Sequence, residues 1–447
     1  MAVEQPPNII FMHSHNTGRF VQPYGHAVPT PNLQRLAEEG VLFRQAFCTA
    51  PTCSPSRASF LSGMYPHSCG MYGLGHRGFK MTDFRHHVVH TLGRHGYHTA
   101  LAGVEHTAPD PTAVGYAELL STEDTNYPEL SDTRHPVEAA VEFLGRRHAR
   151  PFFVSLGLNA THRPFPPPDP ANHSAEDERY CTPPPPLPDV PEIRADMAGF
   201  KASAREMDDS YGAVMDALDA NGLAERTLVC CFTDHGIQFP RHMSNLEDPG
   251  IAVYLIIRGP GGFAGGQVVD EMVSLMDLVP TAYDLAGIEQ PAFVEGVSLR
   301  PLVTGERDSV HDTIFAESNY HAAFEPMRCA RTKRYKYIRR YDNRDRPNLP
   351  NVDDTDSKVF LLERGWRDQA RDRELLYDLI FDPYETNNLF DLPMMREVVG
   401  NLRGRLEAWM RKTGDPLLEG VTVPAPRGAV TNDPDGESPN EPVMTIG

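Results

Sequence analysis

Short, wholly apolar runs alternate with stretches of helical periodicity along the N-terminal part of this chain, and that alternation admits few architectures. Asn8-Ile9-Ile10-Phe11-Met12, Phe152 to Leu158, Leu228-Val229-Cys230-Cys231-Phe232 and Ile251 to Ile257 read as buried strands, with a shorter one at Thr99 to Gly103. Asn32 to Glu39 and His86 to His95 read as helices. Met197, Phe200, Ala204, Met207, Tyr211, Val214 and Leu218 recur in alternating steps of three and four, which is one apolar face of a long helix. Strands alternating with helices predict an α/β fold whose mostly parallel sheet is sandwiched by helices.

The 447 residues suffice for one large domain of this kind and a smaller one. From about Thr313 to Thr413 the rhythm shifts to short strands such as Tyr335-Lys336-Tyr337-Ile338, then a final helix from about Met394. We therefore expect an α/β domain over 1–312, a C-terminal α+β subdomain with a small antiparallel sheet over 313–415, and an extended, loosely docked tail over 416–447. Residues 163–191 carry eleven prolines, so this segment is expected to be an extended loop.

Other classes are disfavoured. No apolar run approaches the ~18–20 residues needed to span a membrane. The formal net charge of −19 argues against nucleic acid as a partner, and it requires any anion site to concentrate positive charge locally. Seven cysteines at irregular spacing do not suggest a disulfide framework, and Cys230-Cys231 reads as core. The N-terminus lacks the basic start and apolar middle of a secretion signal, so a cytoplasmic location is the expectation.

Chemistry enters with Cys53-Ser54-Pro55-Ser56-Arg57, followed by Phe60-Leu61-Ser62-Gly63. Pro55 suits the first turn of a helix. Cys53 then lies at a helix N-terminus, where free N–H groups favour an anionic nucleophile and an anionic substrate. Arg57, one turn on, returns to the same face and can hold either. Ser59 stands where a cysteine-phosphatase loop needs arginine.

Ligands in such a sheet bind at strand ends. The first strand runs into His15-Asn16, and the strand ending at Phe232 runs into Asp234-His235. These two pairs can converge on one ion. Imidazole, carboxylate and amide oxygen together suit Mn, Zn or Fe better than Ca.

The stretch around Cys53 resembles the signature of type I sulfatases, in which that cysteine is oxidised to formylglycine. Pro7-Asn8-Ile9-Ile10-Phe11, Gly103-Val104-Glu105-His106, Thr161-His162-Arg163-Pro164, Thr233-Asp234-His235-Gly236 and Asp382-Pro383-Tyr384-Glu385-Thr386-Asn387-Asn388-Leu389 resemble further segments of the same family, in the expected order. Within it, Cys53 to Leu74 and Gly236 to Gly250 look most like the heparan N-sulfatase branch. The resemblance implies an alkaline-phosphatase-like fold and hydrolysis of a small anionic sulfate ester or sulfamate. It implies one divalent metal on His15, Asn16, Asp234, His235 and the Cys53-derived group. It also implies a formylglycine-generating enzyme as maturation partner. Carried over by position, Cys53 gives the nucleophile and Arg57 stabilises it. His106 helps release sulfate, and His162 protonates the leaving oxygen or nitrogen.

The chain departs from the family pattern at four positions. His15 and Asn16 align with two aspartates, Val104 with a lysine, and Met243 with a basic residue. Losing two carboxylates makes calcium, the family's usual ion, less secure and Mn or Zn more plausible. Arg19, His76, Arg77, Arg241 and His242 are the candidates to replace the lost anion contacts. The readings are thus a formylglycine-dependent sulfatase, a phosphonate or phosphodiester hydrolase of the same superfamily, or a non-catalytic sulfatase-like binding protein.

Overall fold

A computed structural model describes residues 6–122, 135–167, 177–420 and 422–446. The expected proline-rich loop therefore lies partly outside the described residues. The main sheet has nine strands: β1 (Asn8–Ser14), β2 (Val41–Phe47), β3 (His98–Gly103), β4 (Glu118–Ser121), β5 (Phe152–Gly157), β6 (Thr227–Thr233), β7 (Ala252–Val253), β8 (Leu255–Arg258) and β9 (Gln267–Ser274). Their order is β4-β3-β5-β1-β6-β8-β2, with β7 and β9 both on β2. The strands from β4 to β6 are all parallel, while β8 and β7 run antiparallel to their neighbours.

Alternation along β1 and β6 explains the continuous apolar runs. Ile9, Phe11, Leu228, Cys230 and Phe232 belong to the core on one face, and Ile10, Met12, Val229 and Cys231 to the core on the other. Period-two residues thus point both ways into covered layers, as a buried parallel sheet requires. All seven cysteines are buried free thiols.

The long helix spans Pro191–Ala220. Its second half (Met207, Tyr211, Val214, Leu218) packs on the sheet. Its first half (Met197, Phe200, Ala204) packs with Ile237 and Phe239, just beyond the strand ends. The helix Cys53–Ser62 is buried along its whole length. No helix among the described residues is long and apolar enough to cross a membrane.

A second, antiparallel sheet has the order β10 (Ile314–Tyr320), β11 (Phe324–Arg331), β12 (Tyr335–Arg340), β13 (Glu374–Asp378). The helix Arg396–Thr413 lies on it, with Leu402, Leu406 and Trp409 against Ala330, Tyr337 and Leu376.

Two expectations need correction. The segment Ile251 to Ile257 is not one strand: Tyr254 interrupts it, its N–H donating to the Gly18 carbonyl at 2.8 Å and its hydroxyl pairing with Ser14 Oγ at 3.0 Å. Nor is the tail loosely docked. Val423 and Ala429 are buried in the core between the antiparallel sheet and its helix, the Asn432 N–H donates to the Ala322 carbonyl at 2.8 Å, and Lys358 Nζ donates to the Glu437 carbonyl at 2.6 Å. Low periodicity hid this docking because it rests on backbone groups and single side chains.

Candidate active site

Four parallel strands end on the same edge, and each delivers chemistry there. β1 and β6 are neighbours in register, Ser14 beside Thr233, so the residues that follow them converge. His15 and Asn16 follow β1; Asp234 and His235 follow β6. Asn16 sits at φ 61°, a left-handed conformation that asparagine tolerates better than most residues. Its N–H and that of His235 both donate to Asp234 Oδ1 at 2.9 Å, which locks the two strand ends together.

The Cys53 helix points its N-terminus at this junction. Cys53 Sγ lies 2.8 Å from His15 Nε2, 3.3 Å from His235 Nε2 and 3.9 Å from Asn16 Oδ1. Arg57, one turn later, is completely buried: its Nε donates to Asp234 Oδ2 at 3.1 Å, and its Nη1 lies 3.0 Å from His13 Nδ1. Ser56 Oγ donates to the Asp234 carbonyl at 2.6 Å. The sequence placed Arg57 beside Cys53; the structure makes it the counter-charge of Asp234 as well.

Burial governs protonation here. It holds His15 well below its ordinary 6.5, helped by the charges of His162 and Arg57. It lowers His235 against the opposing pull of Asp234. Both imidazoles are therefore neutral at pH 7, the form that ligates metals. Burial also raises the Cys53 thiol well above its ordinary value, reinforced by Asp234 and only partly offset by Arg57. The encoded thiol thus stays protonated at neutral pH and is a poor nucleophile as it stands.

One donor atom each from His15, Cys53, Asp234 and His235 lies within 4.8 Å of the others, and all four residues are buried. His15 Nδ1 and Arg57 Nη2 are buried without a hydrogen-bond partner among the described residues. Two neutral imidazoles, a carboxylate and the position-53 group fit a divalent metal, and the nitrogen donors favour a transition ion over calcium.

Above this cluster opens a cavity of about 740 Å³ lined by Cys53, His76, Arg77, His106, His162 and Met243, among others. His106 follows β3 and His162 follows β5. Their rings lie 5.2 and 4.5 Å from that of His15, centroid to centroid. His162 Nδ1 is 2.6 Å from the Arg163 carbonyl, which leaves Nε2 for other work. Burial lowers His162, and the Asp353 carboxylate opposes that shift.

Of the anion-binding candidates, the cavity gathers His76 and Arg77 and omits three. Arg19 lines a different groove, with Nη2 on the Ala46 carbonyl and its guanidinium over the Phe47 ring. Arg241 opens onto a separate polar pocket. His242 is fully buried between Phe20 and Phe239, with Nδ1 near the Pro240 carbonyl. These side chains serve packing or other pockets, so proximity in sequence to His15-Asn16 or to Asp234-His235 did not bring them to the Cys53 cavity. Val104 is buried outside the cavity lining, while Met243 lines it.

The cavity also holds residues that sequence reasoning missed: Arg163, Asp196, Gln238, His321, Asp353 and Asn440. Gln238 Nε2 donates to Asp353 Oδ2 at 2.5 Å, and Gln238 Oε1 accepts from Asn16 Nδ2 at 3.1 Å. Arg163 pairs with Asp196 at 3.0 Å and lies over the Phe165 ring. Most of them stand in loops of no periodicity, far along the chain from Cys53. The Thr161-His162-Arg163 motif was the one local signal, and it pointed only to His162.

Comparison with known proteins bears on this site. A family model described as Sulfatase matches residues 7–288. A second, described as the C-terminal part of N-sulphoglucosamine sulphohydrolase, matches residues 234–359. The chain is 29% identical to the Homo sapiens N-sulphoglucosamine sulphohydrolase over 474 aligned residues, covering 93% of this chain and 92% of that protein. It is 26% identical to an ulvan-active sulfatase of Formosa agariphila, covering 93% of this chain and 76% of that protein. A solved structure in complex with its substrate D-glucosamine-2-N,6-O-disulfate superposes with a TM-score of 0.74, covering 92% of this chain and 99% of that one. At 17% identity this last likeness is one of fold.

Proposed function

This chain belongs to the sulfatase family, and from that membership we propose that it hydrolyses a sulfate ester or sulfamate of a small sugar in the cavity above Cys53, using a formylglycine made from Cys53 and one divalent transition metal. The observation that carries the reading is the Cys53 side chain itself. It sits at the N-terminus of a buried helix, in contact with His15 and His235, at the base of a cavity that His106 and His162 also line.

His15, Asn16, Asp234, His235 and the position-53 group would hold the metal, which supplies a Lewis acid for the sulfuryl oxygens and for the nucleophile. Formylglycine supplies a hydrated aldehyde in place of a thiol that burial keeps protonated. Arg57 orients the Asp234 carboxylate by its Nε–Oδ2 contact. With Nδ1–H donating to the Arg163 carbonyl, Nε2 is the position from which His162, once protonated, would donate to the departing oxygen or nitrogen. His106, which lines the cavity beside His15, would accept the proton released by the position-53 group as sulfate departs. Cys53 is only 6% exposed, so its oxidation by a formylglycine-generating enzyme precedes folding of this segment.

Intact-protein mass and a substrate panel test the reading. Cys53 should carry the mass change from thiol to aldehyde. Sulfated sugars should turn over faster than phosphonate or phosphate esters with added Mn or Zn, and Cys53→Ala should abolish turnover. An active protein whose Cys53 is still a thiol, or a phosphonate preferred over every sulfate, would overturn it.

A further inference from the structure

Arg77 stands apart among the buried arginines. Arg57, Arg328, Arg331 and Arg340 each face a carboxylate, on Asp234, Asp415, Asp248 and Glu325. Arg77 is 9% exposed and forms no ion pair among the described residues. Its Nη1 donates to the Ala322 carbonyl at 3.3 Å and its Nη2 to the Pro439 carbonyl at 3.4 Å, while Nε has no partner. Withdrawing a guanidinium from water without a counter-charge is expensive. A chain of net charge −19 has no shortage of carboxylates to offer it.

The group lines the substrate cavity, on the wall built by the C-terminal sheet and the tail. His321 lies on the same wall, buried and with Nδ1 unpartnered, and the Arg77 charge acts on it. The charges acting most strongly on Cys53 are instead Asp234, Arg57 and Asp353. Two cavity carboxylates are already engaged by cations, Asp196 by Arg163 and Asp354 by Lys358, and Asp353 by the Gln238 amide. None of them turns to Arg77.

We propose that Arg77, with His321 beside it, binds a second anionic substituent of the substrate, a carboxylate or another sulfate carried by the same small sugar as the scissile group. A guanidinium fork matches either oxyanion by paired hydrogen bonds. The proposal rests on the sulfatase reading of the Cys53 cavity and deepens it, because it makes the substrate a dianion at least.

Equilibrium binding to the Cys53→Ala protein tests this without turnover. The probes are glucosamine N-sulfate, its 6-O-sulfated form, and a disaccharide that links it to a uronic acid. The second anion should tighten binding by roughly 10- to 100-fold, the range of a charge-assisted contact. Adding Arg77→Gln should bring that ratio close to one, and Arg77→Lys should keep part of it. The two dianionic probes separate sulfate from carboxylate. Urea midpoints check that each variant is folded. Equal weakening of all probes by Arg77→Gln, an unchanged ratio, or no gain from a second anion would overturn the proposal. Failure of the sulfatase reading shows separately, as an unmodified Cys53 thiol and no sulfate release by the wild-type protein.

Discussion

Removing either member of the Arg57–Asp234 pair should destabilise the protein well beyond an ordinary surface change. Both side chains are completely buried, with Nε and Oδ2 3.1 Å apart. At an effective dielectric constant of about 20, charges ~4 Å apart attract by about 4 kcal/mol. Desolvation of both ions opposes this, so the intact pair contributes little net. Deleting one partner leaves the other buried and uncompensated, which costs about 3–5 kcal/mol. Out of a typical ~5–15 kcal/mol of total stability, that is a large share. We expect Asp234→Asn and Arg57→Met each to fall in this range in chelator-treated protein. Arg57→Met should be the costlier, since Arg57 also contacts His13 and the Val104 carbonyl. The double variant should cost less than the sum by roughly 1–3 kcal/mol, the coupling expected for groups in contact. Urea unfolding at pH 7, read from midpoints at a common slope, measures all four proteins. Adding metal should then raise the wild-type midpoint and leave Asp234→Asn unmoved. Single costs below about 1 kcal/mol, or strict additivity, would refute the reasoning.

Three other outcomes follow from the site and from a buried ion pair beside the antiparallel sheet. Chelated enzyme should regain activity and bound metal with Mn or Zn more readily than with Ca, and His15→Asp with Asn16→Asp should shift that order toward Ca; metal analysis after dialysis that finds no such shift would count against the donor-set argument. His162→Ala should slow sugar substrates by about 10²–10⁴-fold yet spare aryl sulfates with good leaving groups, and equal losses on both would remove His162 from the acid role. Stability should also depend on pH through His67 and Glu317, which pair at 2.9 Å. Burial alone would lower His67, but Glu317 outweighs it and holds it above 6.5, so this stabilisation is complete below 6.5 and fades as pH rises through the folded value. Burial alone would raise Glu317, but His67 and Arg328 bring it down to about 2, so its share is present above 4.5 and fades as pH falls toward 2. His67→Gln should flatten both limbs in urea midpoints taken across this range, and an unchanged profile would show that the pair does not act this way.

Local chemistry made much of this molecule readable from its residues. Continuous apolar runs located β1, β5 and β6, because strands covered on both faces are buried at every residue. Helical spacing located the long helix, since one face has to meet the sheet. The Cys53 motif located the helix N-terminus at the base of the cavity, because Cys53, Pro55 and Arg57 belong to its first turns. His15, Asn16, Asp234 and His235 could be paired in advance, because ligands collect at the ends of parallel strands.

Tertiary structure decided what crosses between distant segments. Whether a cation reaches the cavity depends on where its loop folds back, so Arg77 is in while Arg19, Arg241 and His242 are out, though all five candidates, with His76, looked alike in sequence. Asp353, Gln238 and His321 entered the site without any periodic signal, through single hydrogen bonds and packing. The tail, which looked loose, supplies Asn440 to the cavity and the Pro439 carbonyl to Arg77. The sequence by itself determined the fold class and the cysteine at the centre of the site, because those rest on short-range patterns. Only the folded chain decided which charges surround the substrate, because a charge acts through space and takes no account of its place along the backbone.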